Sequence, residues 1–125
     1  MTRNYAERFL LLQALIVRRV PANSRIASQL LMEALQADNE LVMKERPELH
    51  YNGMMNISQE VDICIEEELI EDGLGRKIGR VAHAITLRRT KRGQMFLDSL
   101  GESLSEALDS MPMSDVGVLD FLSLL

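Results

Sequence analysis

The sequence predicts a mostly α-helical single domain that carries one small β-hairpin and ends in a long C-terminal helix. Three observations lead there. Apolar residues recur at helical spacing over Tyr5–Arg19, Arg25 to about Ala37, Asn56–Asp72 and Lys91–Ser110. Leu74–Leu87 breaks that rhythm with β-branched residues, a central Gly79-Arg80 and no acid, which suits a short hairpin. The 125 residues, 46% hydrophobic and 26% charged, are the length of one domain and enough for one core. Residues 1–125 are therefore read as one domain, with about 91–125 as packing or dimerisation helices.

In chain order, Tyr5–Arg19 has apolar positions on more than one stripe, as in a helix central to a core or shared with a second subunit. Pro21 ends it, and Asn23 or Ser24 is expected to cap the second helix. Leu41-Val42-Met43 reads as a further helical turn, Pro47 as a break, and Tyr51-Asn52-Gly53 as a turn before Met54-Met55. The third helix, Asn56–Asp72, is capped by Asn56 or Ser58, carries seven acids and no base, and is stopped by Gly73 and Gly75. Thr90 caps the last helix. Its Phe96, Leu97, Leu100, Leu104 and Leu108 form an apolar seam, read as packing on the first helix and as a homodimer seam. The tail from Val116 to Leu125 is too apolar to be left in water.

Composition removes several classes of function. A formal net charge of −5 excludes a generic polyanion binder, so any nucleic-acid surface must come from local segregation of charge. One cysteine, Cys64, excludes an internal disulfide; on the apolar face of a helix it reads as a buried structural thiol. His50 and His83 share no ligand spacing, so neither a metal nor another cofactor is expected. The apolar run Phe9–Val17 is too short to span a bilayer, and the chain reads as cytoplasmic. No phosphate loop or nucleophile–base set is present, so the chain is not expected to be an enzyme. The eight methionines read as core filling rather than a ligand pocket.

Charge is segregated in one place. Of the fourteen Lys and Arg residues, seven fall between Arg76 and Arg92, immediately after the acidic third helix. Leu69-Ile70, Gly73-Leu74, the basic Arg76–His83 and then Thr90-Lys-Arg-Gly93-Gln-Met-Phe96-Leu97 resemble the ending of winged helix-turn-helix transcriptional regulators of the MarR and PadR kind. The likeness covers about 40 residues, and Arg89 departs from it where an apolar residue is usual. The resemblance implies a third helix that reads bases through Asn56, Ser58 and Gln59. It also implies a wing whose Arg76, Lys77, Arg80 and His83, with Arg88 and Arg89, meet the DNA backbone. Arg18, Arg19 and Arg25 are expected to add backbone contacts, whereas Asp62 and Glu66 would repel phosphates.

Two functions follow as expectations. The first is a dimeric regulator with double-stranded DNA and a second copy of itself as partners. The alternative is a protein–protein interaction module, a small accessory, phage or plasmid protein on the same scaffold, in which acidic helix and basic wing form a two-signed surface without DNA binding.

Overall fold

The computed structural model describes residues 5–49 and 56–116. In them five helices surround a small antiparallel sheet. The order is α1 (Tyr5–Arg19), β1 (Ile26–Ala27), α2 (Ser28–Glu45), a 3-10 turn (Pro47–Leu49), α3 (Ile57–Glu66), β2 (Ile70–Asp72), a 3-10 turn (Val81–His83), β3 (Thr86–Arg89), α4 (Lys91–Asp98) and α5 (Glu102–Ser110). Strand order is β1-β3-β2, with Ile26 opposite Leu87 and Glu71 opposite Arg88.

The all-round apolar character of α1 has a direct cause: it serves two core clusters at once. Leu12, Ile16 and Val17, with Val20 just past the helix end, join Leu31, Val61, Cys64, Ile70 and Leu87 in one. Leu11 and Ala14 join Val42, Ala107, Leu108 and Met111 in the other. Phe96, Leu97, Leu100 and Leu104 pack against this second cluster, so within the chain the apolar seam of the last helices already lies on α1. The Cys64 thiol is buried, and that burial, with Glu67 and Glu60 nearby, pushes its pKa up to about 12; it is inert at neutral pH.

Four elements differ from the sequence reading. The second helix starts at Ser28 rather than Arg25, without a side-chain cap from Asn23 or Ser24, and runs on to Glu45. Residues 26–27 are instead spent as a short strand on β3, and the Ser28 hydroxyl donates to the Ala84 carbonyl at 2.6 Å. A two-residue strand shows no alternation, so periodicity cannot reveal it. The Leu41-Val42-Met43 turn is the continuation of α2, which stops before Pro47.

The third helix ends at Glu66, not Asp72. Glu68 takes a left-handed conformation (φ 61°), its amide bonds to the Ile65 carbonyl, and the Leu69 amide reaches back to Cys64. This is a Schellman-type ending with glutamate where glycine is usual. The acids Glu66–Glu68 lie unfavourably at the negative helix end, and here they coincide with its termination. Gly73 and Gly75 stop nothing helical; Gly75 (φ +78°) turns the chain after β2, its amide bonded to the Asp72 carbonyl.

The hairpin strands lie further apart than Leu74–Leu87 suggested. Ile70–Asp72 pairs with Thr86–Arg89, and residues 73–85 form a long connecting loop. Lastly, the long C-terminal helix is two helices, broken at Ser99–Gly101. The Ser99 hydroxyl bonds back to the Met95 carbonyl, and Gly101 lacks helix propensity, so α5 turns to lie on α1. Tyr51-Asn52-Gly53, Met54-Met55 and the tail after Val116 lie outside the described residues.

Candidate functional site

The Thr90-x-x-Gly93 element is a docking device. The Thr90 hydroxyl accepts from the Gly93 amide at 2.9 Å and donates to the Glu68 carbonyl at 2.5 Å, while the Thr90 amide donates to Leu69. A Cβ on Gly93 would collide with the Leu69 carbonyl oxygen, so only glycine permits this approach. The N-terminus of α4 is thereby seated against the end of α3 and the start of β2.

At the other end of α3, the Asn56 side chain caps the helix by accepting from the Gln59 amide at 3.1 Å. Ser58 and Gln59 are exposed in the first turn. Asp62, one turn on from Gln59, accepts from the Val81 amide at 2.7 Å. This joins α3 to the basic loop. Ile78 packs on the main core and Val81 is buried, so the loop is anchored by apolar contacts as well.

The basic residues divide sharply. Arg76 is tied back to Asp72, whose carboxylate is covered and also accepts the Leu74 and Arg76 amides. The hydrogen bond from Arg76 holds the Asp72 carboxyl below its usual range against the opposing effect of desolvation. Arg88 pairs with Glu71 across β2 and β3 at 2.7 Å. Arg89 turns inward, donating to the Val17 and Arg18 carbonyls at the C-terminus of α1 and to Gln94. Burial lowers its pKa. These acceptors, supplied by α1 and α4, account for an arginine at this inward-facing position. Lys77, Arg80 and His83 are exposed, and among the described residues no ion pair engages them.

The structure thus joins Asn56, Ser58, Gln59, Lys77, Arg80 and His83 through α3 and its anchored loop. It commits the side chains of Arg76, Arg88 and Arg89 to contacts within the chain. Arg18 and Arg19 are not available to a backbone either: Arg18 donates to the Leu108 carbonyl, and Arg19 is buried against Asp38. Arg25 is exposed.

Sequence reasoning left Lys91 and Arg92 out of the site. With Lys77, Ile65, Ile70, Ile78, Glu66, Glu68 and Glu71 they line a cleft of about 870 Å³ between the end of α3, β2, the loop and α4. Their place in the basic run was the available signal. Among the described residues no group of acids, histidines and cysteines is arranged to hold a metal ion, and no helix is long and apolar enough to cross a membrane. No family model, curated protein or solved structure matches the chain.

Proposed function

We propose that this chain is a DNA-binding transcriptional regulator on a winged helix-turn-helix scaffold, acting in the cytoplasm as a homodimer without cofactor or catalysis. The element order supports it: helix, strand, two helices, then two strands joined by a basic loop. The observation that carries it is the pairing of an exposed polar first turn on α3 with a loop anchored to that helix and holding Lys77 and Arg80 in solvent. In this reading α3 enters the major groove, Ser58 and Gln59 reach base edges, and Lys77 and Arg80 neutralise phosphates.

The test is affinity for duplex DNA measured against salt. A Lys77→Ala/Arg80→Ala variant is expected to lower the slope of log K against log salt by about 2. An unchanged slope would remove the loop from the interface, and no retardation of random duplex at low salt would remove DNA binding. Arg76 is left in place because its loss would expose the buried Asp72 carboxylate and confuse folding with binding.

The second reading, a protein-interaction module, is favoured by the cleft, where Glu66, Glu68 and Glu71 share walls with Lys77, Lys91 and Arg92. A protein that binds no duplex at micromolar concentration supports this reading over the first. The homodimer is checked by sedimentation equilibrium, with exposed Leu10 on α1 and Met95 on α4 as the residues to alter.

A further inference from the structure

By charge alone, Asp62 works against the proposed interface. It lies three residues after Gln59 on the same side of α3, where a carboxylate repels phosphate. Its geometry has a different consequence. The Asp62 Oδ1 accepts from the amide of Val81 at 2.7 Å, and among the described residues this is the one hydrogen bond between α3 and the 73–85 loop. Val81 directly follows Arg80 and opens the 3-10 turn that returns the chain to β3.

We infer that Asp62 is a positioning residue for nucleic-acid binding. It fixes the Arg80–Val81 backbone so that Lys77 and Arg80 face the same duplex as Asn56, Ser58 and Gln59. This rests on the DNA-binding reading. The repulsion from one carboxylate is outweighed by two loop cations held in register with the helix.

The two roles of Asp62 predict opposite signs, which makes them separable. Asp62→Asn keeps an acceptor and removes the charge. Asp62→Ala removes both. Val81→Pro removes the donor and leaves the charge, and proline suits the first position of such a turn. The full chain is titrated with a fluorescent random duplex over a range of salt, with trypsin cleavage after Lys77, a bond that all three variants leave intact, as a second readout and melting curves to verify folding. Asp62→Asn is expected to bind at least as tightly as wild type with the same salt slope. Asp62→Ala and Val81→Pro are expected to bind about tenfold more weakly, with a slope smaller by about 2 and faster cleavage in the loop. If Asp62→Ala binds as tightly as Asp62→Asn, or Val81→Pro keeps the wild-type affinity and slope, the inference is overturned and the proposed function stands. A wild type that binds no duplex removes both.

Discussion

Two sets of basic residues, alike in the sequence, meet opposite fates. At the C-terminus of α1, Arg19 is buried: its Nε and Nη2 grip both oxygens of Asp38, Nη2 also reaches the Ser114 carbonyl and hydroxyl, and Nη1 donates to the Val116 carbonyl. The Ser114 amide completes the network on Asp38 at 2.7 Å. In the 73–85 loop, Lys77 and Arg80 have no such carboxylate among the described residues and stay in water. The difference lies in what the fold brings within reach. A buried guanidinium is tolerated when acceptors surround it, and Arg19 finds them on α2 and on the segment after α5. A cation that finds none remains at the surface, free for a partner.

The sharpest way to break this comparison is to remove one side of the buried pair. Arg19→Met leaves Asp38 charged and uncompensated, with an expected loss of about 3–5 kcal/mol in urea unfolding. Adding Asp38→Leu should recover part of it; no recovery would mean that the lost contacts to Ser114 and Val116 dominate. Next in size is the contrast between neighbours on β3. Arg89→Met strips donors from the end of α1 and should cost about 2 kcal/mol. Arg88→Met breaks a pair whose two side chains are 42% and 44% exposed and should cost no more than about 1 kcal/mol. Equal losses would show that the inward turn of Arg89 contributes nothing.

A smaller effect depends on pH. Glu60 has a partly buried carboxyl whose pKa is raised, first by desolvation and then by Glu67, and its Oε2 is buried without a hydrogen-bond partner. A raised folded pKa means that the native state holds the proton more tightly. The contribution is therefore favourable below the ordinary glutamate pKa and is lost as pH rises through the folded value. Glu60→Gln is accordingly expected to gain stability over wild type at pH 7, and the advantage should vanish toward pH 4; an advantage independent of pH would point to packing instead. Smallest of all, Lys77→Ala/Arg80→Ala should leave unfolding within about 0.5 kcal/mol of wild type. A larger loss would mean that these cations serve the fold.

Helices of strong period were legible, as were the cap Thr90 and, as one of two candidates, the cap Asn56, because those signals are local. Four to eleven residues suffice to show a 3.6-residue rhythm or a side-chain oxygen three places before a free amide. The strand at Ile26–Ala27 was not, since two residues have no period and acquire their partner, Leu87, some sixty residues later. The end of α3 was misplaced because glycine is the ordinary stop signal, whereas here Glu68 takes the left-handed position. In the candidate site, Asn56, Ser58, Gln59, Lys77 and Arg80 were readable as exposed polar residues. The commitments of Arg76, Arg88 and Arg89 were not, because their partners are set by a turn, by strand register and by the docking of α1 beside β3, respectively.

By itself the sequence determined that this chain is mostly helical, that α1 is apolar on nearly every side, and that positive charge gathers between Arg76 and Arg92. The tertiary structure alone decided which of those charges are free. Hydrophobic period is a property of neighbours along the chain, but an arginine's fate depends on acceptors supplied from elsewhere: Asp38 from α2, the Val17 carbonyl from α1, and Glu71 from the facing strand.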